Sequence, residues 1–144
     1  MICLLDVNVL IALLWPQHEF HARAQKWFAK NANQGWSTCA ITESAFIRIV
    51  SNPAFSRRAI TPQHAIEVLR ASLGHPEHHF WSEDLSAPDA LAHFERGLVG
   101  HQQVTDAYLL GLTIHKKGRL ATFDAGFSSL LAGASAAQAH LVLL

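Results

Sequence analysis

Five short apolar runs, separated by segments of helical length, constrain this chain more than any other feature. They are Ile2 to Leu5, Trp36 to Ala40, His79 to Trp81, Leu120 to Phe123 and His140 to Leu144. Runs this brief and this apolar read as strands covered on both faces. Between them, Asn8 to Trp15 is an apolar helix that Pro16 stops. Phe20 to Asn31 is amphipathic, with Ala22, Ala24, Trp27 and Phe28 set against Arg23, Lys26 and Lys30, and Gly35 closes it. Thr42 is the expected N-cap of a helix that Glu43 opens and Asn52-Pro53 ends.

Thr61-Pro62 starts a further helix, running to about Leu73 before Gly74. Pro88 begins one that Gly97 closes. Val104 to Lys116 is the longest apolar helix, with Gly118 where a left-handed C-terminal cap is wanted. Ala132 to Ala139 is expected to be a small-residue linker. Strands alternating with helices imply βαβ units, and hence an α/β chain in three layers, α/β/α, around a parallel sheet of about five strands. No repeat or charge run interrupts the pattern, and 144 residues suit a single domain over 1–144 with one core.

In such folds ligands sit at the carboxyl ends of the strands, and four acids belong to that edge. Asp6 and Asp124 directly follow strands. Glu43 and Asp106 lie in first turns of helices, and a helix that follows a strand begins at the same edge. Each acid has a plainer explanation: Glu43 after Thr42 and Asp106 after Thr105 as acids favoured by the helix dipole, Asp6 and Asp124 as turn residues. Together the plain explanations account for less, because four carboxylates at one edge repel one another in a medium of low dielectric. A cation removes the difficulty. Oxygen ligands with no Cys or His in the same motifs favour Mg²⁺ or Mn²⁺ over zinc, and a carboxylate-held divalent ion suits phosphodiester hydrolysis.

Composition narrows the function classes. Eleven basic and 11 acidic side chains give a formal net charge of zero, which speaks against a strongly basic nucleic-acid binder. With the four edge acids set aside, however, bases outnumber acids. Only 15% of residues are charged, a hint of self-association or a permanent partner. The first residues carry no basic lead and too short an apolar run for a signal peptide, and no segment approaches the ~18 apolar residues of a membrane helix. An intracellular, cytoplasmic protein is expected. Cys3 and Cys39 sit in apolar stretches without metal spacing and read as buried free thiols.

Other chemistries lack their residues. A phosphoaspartyl phosphatase needs Asp-x-Asp after the first strand, and Asn8 stands in the second position. A receiver-type domain needs a lysine at a strand end, whereas Lys116 and Lys117 end a helix. No GxGxxG follows the first strand.

Leu-Leu-Asp6-Val-Asn8, Thr42-Glu43-Ser-Ala-Phe-Ile-Arg48, Val-Thr105-Asp106-Ala-Tyr-Leu-Leu-Gly and Leu-Ala-Thr-Phe-Asp124 resemble the four acidic motifs of PIN-domain proteins. Their order and spacing are similar to those of the VapC toxins of bacterial toxin–antitoxin modules, from residue 2 onward. The resemblance implies an α/β/α fold, Mg²⁺- or Mn²⁺-dependent endoribonuclease activity, a homodimer and inhibition by a VapB-type antitoxin. It makes Asp6, Glu43 and Asp106 the core acidic triad and Asp124 the fourth acid, all metal-holding and catalytic. Asn8 and Thr105 become supports of the ligands, or helix N-caps, or both. The rival is a PIN fold that binds RNA or regulates without cutting it.

Arg48, five residues past Glu43, lies off its helical face and suits an RNA phosphate or an ion pair equally. His75, His78 and His79, like the pair His18 and His21, lack the acids or cysteines that would make a transition-metal site and read as surface residues. The four tryptophans read as core, with Trp15 and Trp27 the two suited to an antitoxin groove.

Overall fold

The computed structural model describes residues 1–144. Its strands are β1 (Cys3–Leu5), β2 (Trp36–Thr38), β3 (His78–Phe80), β4 (Arg119–Thr122) and β5 (Leu141–Leu143). All neighbours pair in parallel, in the order β3-β2-β1-β4-β5. Six helices connect them: α1 (Val7–Leu14), α2 (His21–Asn31), α3 (Ala40–Val50), α4 (Pro62–Leu73), α5 (Ala87–Leu91) and α6 (Val104–His115). The α/β/α layering expected from the alternating pattern is the one observed.

Strand periodicity distributes the core between two faces. Leu5, Trp36 and Ala121 point one way and pack with Val9, Leu10, Phe46 and Leu69 from α1, α3 and α4. Leu4 and Leu120 point the other way, onto Leu109, Leu110 and Leu112 of α6, with Phe94 and Phe127. The chain builds β2 and β3 on one side of β1, then crosses to build β4 and β5 on the other. The strand order therefore reverses between β1 and β4, and the crevice at such a reversal is where open α/β sheets bind ligands.

Local caps move several expected boundaries. Helix α1 begins at Val7, because the Asp6 carboxylate accepts the Val7 N–H at 2.7 Å and caps it. Helix α3 begins at Ala40, with Cys39 and not Thr42 as its N-cap residue. Thr42 instead stands in the first turn, where its hydroxyl accepts the Cys39 N–H at 3.1 Å. β2 consequently ends at Thr38. Thr61 caps α4 as expected, accepting the His64 N–H at 3.1 Å.

The left-handed residue after α6 is Lys117, φ 57°, not Gly118. Gly118 is small for another reason: a Cβ there would lie 2.6 Å from the Ile2 carbonyl oxygen, against the Trp81 ring. The helix expected from Pro88 to Gly97 is only α5 followed by a 3₁₀ turn over Ala92–Phe94. The expected linker holds a 3₁₀ helix, Ser135–His140. Cys3 and Cys39 are free and buried. No helix is long and apolar enough to cross a membrane.

Candidate active site

Asp6 is the only acid or base among the buried residues, 5% exposed at the C-terminal end of β1. Parallel pairing of Leu5 with Ala121 sets Asp6 beside Thr122 at the reversal of strand order. The Thr122 hydroxyl donates to Asp6 Oδ2 at 2.7 Å, while Oδ1 takes the Val7 N–H. Asn8 secures the corner. Its amide donates to Asp6 Oδ2 at 3.3 Å and to Thr122 Oγ1 at 3.1 Å, and its carbonyl accepts the Phe123 N–H at 3.1 Å.

Asp106, half-buried in the first turn of α6, is pushed up to about 6 by burial and by the charges of Asp6 and Asp124. Burial also raises Asp6, against the lowering effect of the Thr122 and Val7 hydrogen bonds, and Asp124 raises it further. Asp124 is exposed after β4, with its N–H on Thr122 Oγ1 at 3.0 Å and its Oδ1 accepting the Gly126 N–H at 2.7 Å. Asp6, Asp106 and Asp124 thus form one electrostatic group at the sheet edge.

No base balances it. The ion pairs of the chain, Lys116 at 2.8 Å and His115 at 3.5 Å, both converge on Asp84. Like charges held at a half-buried edge without a counter-charge repel strongly. Both oxygens of Asp106 and Oδ2 of Asp124 accept no hydrogen bond within the protein, so they are the oxygens open to a cation. The carboxylates do not form a closed cage, and no three His, Cys, Asp or Glu side chains converge to a metal-binding spacing.

Glu43 comes from a different helix layer. It rises from the first turn of α3, on the opposite face of the sheet from α6, and its Oε1 accepts the Thr38 hydroxyl at 2.5 Å. Its charge is not among those acting on Asp6 or Asp106. Thr105 is exposed, in the first turn of α6, and hydrogen-bonds none of the four acids. The hydroxyls that hold the acids are Thr122 and Thr38, both buried last residues of strands.

Around the edge, Phe20 stacks on Phe123 with centroids 4.9 Å apart, and the Arg23 guanidinium lies 5.5 Å from each ring. Arg48 is exposed and without an acid partner. His75 and His78 are half-buried in the β2–β3 region, contrary to their expected surface position. Trp36 and Trp81 belong to the core, while Trp15 packs edge-on to Phe55.

The PIN domain family profile matches residues 3–130. The chain belongs to the PIN-domain family. Among PIN-domain relatives from Mycobacterium tuberculosis (strain ATCC 25618 / H37Rv), it is 44% identical over 127 residues to Ribonuclease VapC38, covering 88% of each chain. It is 42% identical over 128 residues to Ribonuclease VapC39, covering 89% of this chain and 92% of the relative. With Ribonuclease VapC44 the identity is 40% over 141 residues, 98% of each. A crystal structure of VapBC2 from Rickettsia felis, bound to a DNA fragment from its promoter, matches with a TM-score of 0.65 and 12% identity. It covers 90% of this chain and 93% of that one, a likeness of fold alone.

Proposed function

We propose that this chain is a divalent-cation-dependent endoribonuclease of the VapC kind, the toxin of a toxin–antitoxin pair, cutting RNA at the C-terminal edge of its sheet. The observation that carries the proposal is the unbalanced carboxylate trio of Asp6, Asp106 and Asp124 at the strand-order reversal, in a chain similar along most of its length to proteins named as ribonucleases. The donor set fits Mg²⁺ or Mn²⁺: it is all oxygen, it leaves several oxygens uncommitted, and it has no lysine or arginine of its own. Mg²⁺ keeps several waters and needs only one or two direct carboxylates, so a closed cage is not required.

When bound, the cation would neutralise the trio and polarise the scissile phosphate. The residues of the chain do the rest. Asp6, fixed by Thr122, Val7 and Asn8, is the rigid member, and Asp106 and Asp124, with oxygens free of hydrogen bonds, would hold the cation. Glu43, outside the trio with Oε1 tied to Thr38, has Oε2 free to orient an attacking water and take its proton. The water oxygen bonds to phosphorus as the phosphorus–oxygen bond to the leaving ribose breaks in line, and the leaving oxygen takes a proton from solvent water. Asn8 supports Asp6, whereas Thr105 is left to the RNA side of α6. The stack of Phe20 on Phe123, one residue before Asp124 in the chain, would with Arg23 offer aromatic and cationic contacts to a base and a phosphate.

A VapB-type antitoxin as inhibitor and a homodimer as the assembled form belong to the same proposal, as does a cytoplasmic location. The test is incubation of the pure protein with labelled RNA in Mg²⁺, in Mn²⁺ and in EDTA. Cleavage should appear with either metal and vanish with EDTA, and Asp6→Asn should reduce it by orders of magnitude. RNA retained but uncut under all three conditions would favour a binding module over a nuclease. Expression of the chain alone should arrest growth, and a small open reading frame beside its gene should relieve the arrest.

A further inference from the structure

A hydrogen-bonded chain reaches Glu43 along the face of the sheet that packs on α1, α3 and α4. Thr38 Oγ1 lies 2.5 Å from Glu43 Oε1 and 2.8 Å from His78 Nε2. A threonine hydroxyl has one proton, and an ionised carboxylate accepts only. The Thr38 proton therefore goes to Glu43, and the Thr38 oxygen receives the proton carried by His78 Nε2. This assigns a proton to His78 Nε2. Burial holds the His78 imidazole below its usual range, and the neighbouring His79 and His75 act in the same direction, against a backbone hydrogen bond at Leu73 that favours the protonated ring.

Sheet register explains why the three groups meet. Trp36 pairs with His78 and Thr38 with Phe80, so Trp36, Thr38 and His78 share a face, and Thr38 is the diagonal neighbour of His78. The Trp36 indole packs on the imidazole, centroids 4.6 Å apart, and limits its rotation. Thr38 is fully buried, so no bulk water competes for its hydroxyl.

We propose that His78 is a positioning residue for Glu43, fixing through the Thr38 hydroxyl the orientation in which the Glu43 carboxylate presents Oε2 to the RNA-cleaving site. It rests on the nuclease function proposed above. His78 touches neither substrate nor cation. It orients the Thr38 hydroxyl, which pins Oε1, which leaves Oε2 as the free oxygen.

The experiment compares His78→Phe, His78→Gln, Thr38→Val, the double variant His78→Phe/Thr38→Val and, as reference, Glu43→Gln, on labelled RNA and by Mn²⁺ calorimetry. Phe fills the ring volume without a donor; Gln restores an N–H near Nε2. His78→Phe should lower kcat at least about ten-fold, the scale of a misplaced proton acceptor, with KM and Mn²⁺ affinity unchanged. His78→Gln should recover most of the loss. The double variant should be no worse than Thr38→Val, because both residues act on one path.

Imidazole ¹⁵N spectra of the metal-free protein should show His78 protonated at Nε2. A ring protonated at Nδ1 alone overturns the proposal without reference to activity. Full cleavage by His78→Phe beside a dead Glu43→Gln overturns it while leaving the nuclease intact. Full cleavage by Glu43→Gln removes both the positioning role and the proton-accepting role of Glu43.

Discussion

The Thr122 hydroxyl donates to Asp6 Oδ2 at 2.7 Å, joining residues 116 positions apart in the chain. The same oxygen accepts the Asp124 N–H, so one hydroxyl fixes the direction of the buried acid and the start of the exposed one. Thr122→Val keeps the shape, removes the donor and leaves that N–H without a partner. Hydrogen bonds to charged groups contribute about 1.5–3 kcal/mol, and stability should fall within that range in urea titrations. RNA cleavage should fall with it, and Thr122→Ser should retain both.

Asp106 contributes to the pH response of the metal-free protein, alongside Asp6. Its folded pKa, about 6, lies above the ordinary 3.8. For a raised carboxyl, the stability contribution is fully present below 3.8 and lost as pH rises through 6. Asp106→Asn removes that loss. Melting temperatures in EDTA should therefore be higher for Asp106→Asn than for wild type at pH 7, with the difference closing as pH falls from 6 to 4. With Mn²⁺ at pH 7 the order should reverse, because only the wild type gains from the cation.

Ser37 Oγ is buried in β2 without a hydrogen-bond partner. A buried hydroxyl left unpaired is destabilising, so Ser37→Ala should raise stability by about 1 kcal/mol, measured as a shift of the urea midpoint at constant slope. RNA cleavage should not change, since Ser37 touches none of the four acids.

Helices α5 and α6 meet at Gly111, where a Cβ would collide with the Ala90 backbone carbonyl. Neither helix can shift freely, because α6 also packs on the sheet. Gly111→Ala should lower stability by about 1–3 kcal/mol, the range for overpacking. Thermal melts should show the loss even though Ala is the better helix former.

The sheet, its layers and its acidic edge were legible because strand and helix periodicities are written in the apolar residues themselves. Asp6 and Asp124 stood out as acids that end apolar runs. The hydroxyls that position Asp6, Asp124 and Glu43 did not, because Thr122 and Thr38 close strands as ordinary β-branched residues and nothing local distinguishes a donor from packing. Thr105 invited selection through its place beside Asp106, yet adjacency in a helix does not place side chains together. The start of α3 was misplaced because cysteine is not a usual N-cap. His78 was unreadable as a partner of Thr38, since their meeting depends on the pairing of β2 with β3, known only once the register is known.

The nuclease assignment is tested most directly by the rate of RNA cleavage as a function of free Mn²⁺, measured for wild type and Asp106→Asn. Wild type should rise from no cleavage in EDTA to a plateau, and Asp106→Asn should stay near zero throughout. Cleavage independent of Mn²⁺, or equal rates for the two proteins at every concentration, would contradict a cation-dependent site built on these carboxylates.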